Sequence, residues 1–205
     1  MCGLNGILAF DKAYLFHQEI IRMTTVLSHR GPDDEGFYDD SDIRLGHRRL
    51  AIIDLSSTGK QPMSNTDGSL WVVLNGEIYN YKVLKNTLET KNYRFKSTSD
   101  TEVLLHGFDE WGTDLFEKLE GMFAFALWSK NNKELFLVRD PCGIKPIFYC
   151  SKIWYFHWRK YASKCDFSMK GEPNGSLHNR QWYANRRNWE ITCRSRRYRQ
   201  TEIRQ

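Results

Sequence analysis

Residues 122–138, MFAFALWSKNNKELFLV, contain two apolar segments separated by a short polar one. MFAFALW and ELFLV are rich in the apolar and aromatic residues that suit a pleated surface, and SKNNK between them is typical of a turn. The stretch therefore predicts a β-hairpin, which requires antiparallel strands. It favours a layered α/β domain with antiparallel sheet over a parallel nucleotide-binding sheet.

The segments before this hairpin predict further strands with helices between them. Strands are predicted at LNGILAF (4–10), LGHRRLAIID (45–54), LWVVLN (70–75) and NYRFKS (92–97). Helices are predicted from the spacing of Phe16, Ile20, Met23 and Leu27, at YKVLKNTLET (81–90), and at SDTEVLLHGFDEWG (99–112), which begins at Ser99 or Asp100. The phosphate-binding patterns GxGxxG and GxxxxGK[ST] do not occur in the sequence, so no phosphate loop is predicted.

The composition of the 205 residues, with 40% hydrophobic and 27% charged residues, is that of a globular domain. No secretory signal is recognisable before residue 30, and no apolar stretch approaches the roughly 20 residues of a membrane span. The five cysteines are odd in number and lack CxxC spacing, which argues against a disulfide framework and against a zinc site. We therefore expect a cytoplasmic protein with no membrane partner and no metal.

Charge divides the chain into two regions. Residues 151–205 carry 13 Lys and Arg against 4 Asp and Glu, and they include four of the seven tryptophans. No secondary structure can be assigned to this basic, Trp- and Arg-rich segment with any regularity. We therefore divide the chain into residues 1–150 and a tail of residues 151–205.

The second residue is a thiol followed by glycine, in MCGLNGI (1–7). Cys2 could be a small hydrophobic residue that opens a strand, or an accident of the terminus. If Met1 is removed, however, the α-amine of Cys2, with a pKa near 8, lies beside the sulfur and can act as its general base. Cys2 is then a candidate N-terminal nucleophile.

Three other segments offer the groups that an amide-cleaving thiol needs. The side chain of Asn75 and the backbone N–H of Gly76 could stabilise an oxyanion, although Asn-Gly is also a common hairpin turn. Arg48 or Arg49 could hold a substrate carboxylate, although strand arginines are often solvated. Asp100 could bind a substrate ammonium or cap a helix.

Seven segments occur in order: MCGLNGI, SHRGPDDEG, LGHRRLAIIDLSSTGKQPM, LNGEIYNY, TSDTEVLLHGFDEWG, LEGMFAFALW and RDPCGIKPIFY. Together they resemble the N-terminal glutaminase domain of glutamine-hydrolysing asparagine synthetases, a class II glutamine amidotransferase. The resemblance runs from residue 1 to about residue 150. It implies an α+β N-terminal-nucleophile hydrolase fold, a four-layer αββα sandwich with two antiparallel sheets, here expected to be incomplete at its C-terminal end.

The resemblance also implies roles for individual residues. Cys2 would be the nucleophile, and its amine the general base. Asn75 and Gly76 would form the oxyanion hole. Glutamine would be bound by Arg49, by Leu50, Ile52 and Ile53, and by Asn75, Gly76, Glu77 and Asp100. The implied reaction is hydrolysis of glutamine through a Cys2 thioester, with the ammonia passed to an ATP-activated aspartate.

The resemblance ends after residue 150. Relatives continue with a synthetase domain that uses ATP and magnesium, and no ATP loop is present here, so no cofactor is expected for the glutaminase half. Trp154–Trp158 permits Gly-Ile-Phe-Ile-Gly when its codons are read one base forward, and this sequence resembles the expected strand. We therefore interpret residues 151–205 as a possible frameshift product.

Two alternatives remain open from the sequence. The chain could be an inactive truncated remnant or an interaction subunit, working with a separate synthetase chain or as a homo-oligomer. The arginine and aromatic clusters RQWYANRRNW (180–189) and RSRRYR (194–199) could instead bind nucleic acid through phosphate contacts and stacking. No recognised nucleic-acid-binding fold accompanies these clusters, which makes nucleic acid the weaker expectation.

Overall fold

The computed structural model of the chain describes residues 2–9, 17–51, 56–151, 155–159, 175–176, 181–185 and 190–194. Ile52 and Ile53, both expected to bind substrate, therefore lie outside the described residues, as does Phe16 of the first predicted helix. Among the described residues, no helix has the length and apolar character needed to cross a membrane.

The first sheet is antiparallel and has six strands in the order β10-β8-β9-β1-β3-β2. Its strands are β1 (Gly3–Ala9), β2 (Asp34–Asp39), β3 (Ile43–Arg49), β8 (Phe148–Ser151), β9 (Tyr155–Arg159) and β10 (Gly175–Ser176). Gly3 of β1 lies opposite Arg48 of β3, so the N-terminal end of the chain is fixed beside the end of β3. This pairing brings residue 2 close to residues 49 and 50.

The second sheet is also antiparallel and has the order β12-β11-β7-β6-β5-β4. Its strands are β4 (Met63–Ser64), β5 (Leu70–Ile78), β6 (Gly121–Ser129), β7 (Glu134–Arg139), β11 (Gln181–Asn185) and β12 (Glu190–Arg194). The β6–β7 hairpin confirms the prediction made from residues 122–138, with Ser129 opposite Glu134 at its closed end. Sheet and hairpin both have the antiparallel arrangement that the sequence favoured.

Four helices complete the described part of the fold: α1 (His17–Val26), α2 (Tyr81–Thr90), α3 (Thr101–Trp111) and α4 (Leu115–Lys118). Ile20 and Met23 of α1 pack with Ile7 on the outer face of the first sheet. Helices α2 and α3 cover the outer face of the second sheet, where the shared core contains Leu74, Leu84, Leu88, Leu104, Phe123 and Phe125.

The two sheets pack face to face through a second apolar core. Leu4, Leu8, Ile43 and Leu45 come from the first sheet, and Val73, Ala124, Ala126, Trp128, Leu135 and Leu137 come from the second. The order of layers is helix, sheet, sheet, helix, because alternate residues of each strand face the other sheet and the helices in turn. The four-layer αββα sandwich expected from the sequence is confirmed.

Some local predictions were wrong. NYRFKS (92–97) forms no strand, because the Glu102 carboxylate accepts hydrogen bonds from the amides of Lys96 and Ser97. Its aromatic residues, Tyr93 and Phe95, pack against His106 with ring centroids 5.3 and 4.7 Å away. The alternating aromatic residues therefore pack against α3 and do not form a strand.

Strands β2, β4 and β8 and the strands beyond residue 151 were not predicted from the sequence. Strand β2 is polar (DEGFYD) because it lies at the edge of its sheet, paired with β3 alone. Strand β9 lies between β1 and β8, and β11 pairs with β7. The basic segment therefore contributes backbone to both sheets.

Candidate active site

A pocket lies where the start of β1, the end of β3 and the second half of β5 meet. The first turn of α3 and the residues before β4 complete its wall. The residues lining it are Cys2, Arg49, Leu50, Ala51, Gly59, Gln61, Leu74, Asn75, Gly76, Glu77, Ser99, Asp100, Thr101, Met122 and Lys145. All seven of the predicted site residues that the structure describes are in this set.

Cys2 is half-buried at the start of β1. Its sulfur lies 3.4 Å from the backbone nitrogen of Leu50, which donates to it, and 3.6 Å from the carbonyl oxygen of the same residue. Neither Cys2 nor Cys142, the cysteines whose pairing is described, forms a disulfide. The nucleophile predicted from the sequence is therefore available in the pocket as a thiol.

The two adjacent arginines of β3 point in different directions, as alternation along a strand requires. Arg48 forms an ion pair with Glu35, its neighbour across the β2–β3 ladder. Arg49 is buried, lines the pocket, and donates from Nη1 to the carbonyl of Ser56 at 2.8 Å. Of the two candidates for a substrate carboxylate, the structure brings Arg49 alone into the pocket wall.

Asn75 and Gly76 lie within β5 and do not form a hairpin turn, so that alternative was wrong. Asn75 is fully buried. The φ of Gly76 is +148°, and a Cβ atom there would come within 2.1 Å of the Met122 carbonyl oxygen on β6. Glycine is needed at this position because β6 approaches the backbone too closely for any side chain.

Asp100 precedes α3 but makes no side-chain capping bond. Its Oδ2 instead accepts a hydrogen bond from the amide of Ile78 at 2.9 Å, and Ser99 Oγ accepts the amide of Thr101, the first residue of the helix. Burial, and to a smaller extent the negative charge of neighbouring Glu77, raise the pKa of Asp100 to about 6. No cationic side chain among the described residues contributes to the pKa of Asp100, and a substrate ammonium would supply the missing positive charge.

Leu74, directly before Asn75, is held through both of its backbone groups. Its amide donates to Gln61 Oε1 at 2.6 Å, and its carbonyl oxygen is 3.2 Å from His47 Nε2. A carbonyl oxygen can only accept, so Nε2 of His47 must carry the proton. Burial lowers the pKa of His47 to about 4, so the ring is neutral at pH 7.

Several pocket residues were not predicted: Ala51, Gly59, Gln61, Leu74, Ser99, Thr101, Met122 and Lys145. Gln61 and Lys145 are both buried, at 7% and 5% exposure, which is unusual for their residue types and was not visible in the sequence. Gln61 lies in the segment GKQPM and Lys145 in GIKPIFY, two of the segments that carry the family resemblance.

The pocket thus surrounds one space with a thiol, an arginine, a buried carboxylate and a strand that carries an amide side chain. This set can hold an amino acid by its carboxylate and ammonium while the thiol attacks its side-chain carbonyl. No group of three or more His, Cys, Asp or Glu residues able to hold a metal ion is found within the described ranges.

The sequence matches the glutamine amidotransferase domain family over residues 1–166. Two glutamine-hydrolysing asparagine synthetases of Bacillus subtilis strain 168 are similar to it. Asparagine synthetase 1 is 45% identical over 154 residues, 73% of this chain and 24% of the relative. Asparagine synthetase 2 is 48% identical over 152 residues, again 73% of this chain but 20% of the relative.

A glutamine-hydrolysing asparagine synthetase 2 of Arabidopsis thaliana is 36% identical over 194 residues, which is 89% of this chain and 33% of that protein. The chain therefore spans between 20% and 33% of the length of these three relatives. These matches favour an amidotransferase over the nucleic-acid-binding alternative.

Two solved structures share the fold. The glutamine phosphoribosylpyrophosphate amidotransferase of B. subtilis, complexed with ADP and GMP, superimposes with a TM-score of 0.73 at 21% identity, over 95% of this chain and 49% of that one. A structure described as the allosteric regulatory enzyme of purine biosynthesis gives a TM-score of 0.64 at 20% identity, over 94% and 42%.

Proposed function

Since the chain belongs to the glutamine amidotransferase domain family, we propose that it hydrolyses glutamine to glutamate and ammonia through a thioester on Cys2. The observation that carries this proposal is the geometry of one pocket. The Cys2 thiol, a buried arginine and a buried carboxylate with a raised pKa all line it, together with the Asn75–Gly76 segment of β5.

The first step requires a base for the thiol. We propose that Met1 is removed, so that the α-amine of Cys2, with a pKa near 8, takes the thiol proton directly or through one water. The sulfur then forms a bond to the side-chain carbonyl carbon of glutamine. As the tetrahedral intermediate collapses, the protonated α-amine of Cys2 gives its proton to the side-chain nitrogen of glutamine. Ammonia leaves, and the acyl group remains on Cys2 as a thioester.

The second step releases glutamate. The same amine takes a proton from a water molecule, whose oxygen attacks the thioester carbon, and the Cys2 sulfur leaves and regains a proton. Both steps pass through an oxyanion on the same substrate oxygen. A single set of hydrogen-bond donors can therefore stabilise both transition states.

Asn75 and Gly76 are the proposed donors for this oxyanion. Alternation along β5 places the amide of Gly76 on the same edge as those of Leu74 and Ile78. Gln61 accepts the amide of Leu74, and Asp100 accepts that of Ile78, while Gly76 between them lines the pocket. This arrangement supports an N–H that points at the substrate.

The α-amino-acid end of glutamine is recognised by charge. Arg49 would bind the α-carboxylate, and Asp100 the α-ammonium, which lowers the pKa of Asp100 again when substrate binds. Leu50, with Ile52 and Ile53 beyond it, would line the carboxylate side, and Glu77 would shape the pocket near the ammonium. Both ionic contacts are to buried groups, which favours selection of ligands that carry both an α-carboxylate and an α-ammonium.

The proposal is tested by measuring ammonia and glutamate release from glutamine by the purified chain, with intact mass recorded. We expect release by a chain that has lost Met1, and none by Cys2→Ala. A soluble, processed wild-type chain that releases no ammonia would contradict the proposal. Activity that persists in Cys2→Ala would contradict the assigned nucleophile.

The fate of the ammonia is a further part of the proposal. The sequence relatives are asparagine synthetases, and we propose that ammonia is passed to an aspartate activated with ATP and magnesium at a synthetase site. The glutaminase half, placed in residues 1–150, would use no cofactor. We propose a reducing cytoplasm as the place of action, where the thiols of Cys2 and Cys142 would stay reduced.

A further inference from the structure

Gln61 holds the strand that carries the proposed oxyanion hole. Strand β4 pairs Met63 with Val72 and Ser64 with Trp71, and continuing this register by two residues brings Gln61 opposite Leu74. The two-residue β4 does not reach that far, so no backbone partner from β4 meets the amide of Leu74. The side chain of Gln61 takes that place, with Oε1 2.6 Å from the Leu74 nitrogen.

The other end of the same side chain is bound to α3. Gln61 Nε2 donates to Thr101 Oγ1 at 3.1 Å, and Thr101 directly follows Asp100. One buried amide group therefore connects the residue before Asn75 with the residue after the proposed ammonium ligand. The Gln61 backbone packs closely against β2, since a Cβ on Gly36 would come within 2.0 Å of the Gln61 carbonyl oxygen.

Gln61 has no proposed role in bond making or breaking, but its two hydrogen bonds hold β5 in place beside Asn75 and Gly76. If the amide of Leu74 lost its acceptor, β5 would be free to shift at the residue next to Asn75 and Gly76. An oxyanion hole is effective only when its donors are already in place, because an ångström of displacement removes most of the benefit.

We propose that Gln61, anchored on Thr101, is a positioning residue for the oxyanion hole formed by Asn75 and Gly76. This inference rests on the proposed function. It separates two effects, because Gln61 contacts Leu74 and Thr101 and does not contact Arg49 or Asp100, the groups proposed to bind the α-carboxylate and α-ammonium of glutamine. Loss of Gln61 should therefore lower kcat more than it weakens glutamine binding.

The test replaces Gln61 with methionine, which has a similar length and cannot make either hydrogen bond. Turnover is measured per folded molecule, on monodisperse protein whose cooperative thermal unfolding transition and circular dichroism match those of wild type, so that unfolded molecules do not enter the rate. We expect kcat to fall about tenfold, less than the roughly 10²- to 10³-fold cost of deleting an oxyanion-hole donor. Gln18→Met, at an exposed position of α1, is the matched control and should retain wild-type kcat.

Binding is measured separately by calorimetry in the Cys2→Ala background. We expect the Kd for glutamine to change by less than about threefold on adding Gln61→Met, because the ionic contacts to substrate remain. A wild-type kcat in folded Gln61→Met would overturn the inference. A rise in Kd as large as the fall in kcat would also overturn it.

Thr101→Val decides the case if Gln61→Met does not fold. It removes one hydroxyl, keeps the side-chain shape, and leaves Gln61 bound to Leu74 alone. We expect a smaller fall in kcat, about threefold, with unchanged Kd. Wild-type kcat in Thr101→Val would overturn the proposed anchoring. An inactive wild-type chain would remove the proposed function first, and this inference with it.

Discussion

The sulfur of Cys2 lies 3.4 Å from the backbone nitrogen of Leu50, the residue that follows Arg49. The nucleophile and the proposed carboxylate ligand are therefore held at a fixed separation by the β1–β3 ladder, in which Gly3 lies opposite Arg48. Because neither position depends on a flexible loop, substrate bound at Arg49 would be presented to the thiol in one orientation.

The adjacent arginines provide a matched pair of variants. Arg49→Lys keeps the charge but loses the planar, two-pronged contact to a carboxylate, so we expect the KM for glutamine to rise about 10- to 100-fold. Arg48→Lys keeps the ion pair with Glu35 at the protein surface and should leave KM near the wild-type value. Steady-state kinetics on the three proteins checks this, and equal KM values for both variants would contradict the role of Arg49.

Gly76 should not tolerate alanine. A Cβ there would lie 2.1 Å from the Met122 carbonyl oxygen and 2.5 Å from Phe123 Cα, and backbone cannot rotate away as a side chain can. We expect Gly76→Ala to lose at least about 3 kcal/mol of unfolding free energy, from overpacking together with the unfavourable φ. Urea denaturation measures this loss.

Gly68→Ala is the control for Gly76→Ala. Gly68 also has a positive φ, +70°, but nothing lies within 4 Å of its Cβ position. The expected loss is about 1–2 kcal/mol, from the backbone conformation alone, with unchanged glutaminase activity. Equal losses in the two variants would show that β6 does not crowd Gly76.

Much of the fold was predictable because its signals are local. The β6–β7 hairpin, α2 and α3 each follow from the spacing of apolar residues over a short stretch of sequence. These apolar residues form the cores on the two faces of the second sheet. The chemistry of Cys2 could likewise be proposed from its position alone, since an N-terminal amine needs no partner from elsewhere in the chain.

The remainder depended on contacts between distant segments. Gln61 meets Leu74 only because β4 stops short, and His47 reaches the same residue only because two sheets pack face to face. Neither contact has a signature in the sequence. NYRFKS has strand-like alternation, but the buried Glu102 takes its amides, a partner that a propensity for strand cannot reveal.

Glutamine binding should weaken as Asp100 is protonated. Burial and then Glu77 raise the pKa of Asp100 to about 6, and a neutral carboxyl group cannot pair with an ammonium. In Cys2→Ala, where no turnover interferes, we expect the Kd for glutamine to be about tenfold higher at pH 5 than at pH 7. Calorimetry across this range measures it.

Asp100→Asn in the same Cys2→Ala background supplies the comparison. Its Kd for glutamine should be high and should not vary between pH 5 and pH 7, because the titrating group is gone. A pH-dependent Kd of the same slope in both proteins would assign the effect to another group and contradict the ammonium-binding role.

His47 should make the protein less stable as the pH falls from about 6.5 to about 4. Burial lowers its folded-state pKa from 6.5 to about 4, so within this window the unfolded chain binds a proton that the folded protein does not. Unfolding then takes up a proton, and the free energy of unfolding decreases as the pH decreases, by on the order of 3 kcal/mol over the window. Protonation in the folded state ends the effect below pH 4.

His47→Gln isolates this contribution, because its amide can still donate to the Leu74 carbonyl but does not titrate. Urea denaturation of both proteins at pH 7, 6, 5 and 4.5 gives the difference in unfolding free energy, in which groups common to both cancel. We expect wild type to lose stability relative to His47→Gln at each step toward pH 4.5. His29→Gln, at an exposed position, supplies the baseline for removal of a histidine. A difference that is constant across these pH values would show that His47 has the same pKa in the folded and unfolded protein, which would contradict a ring kept neutral by burial.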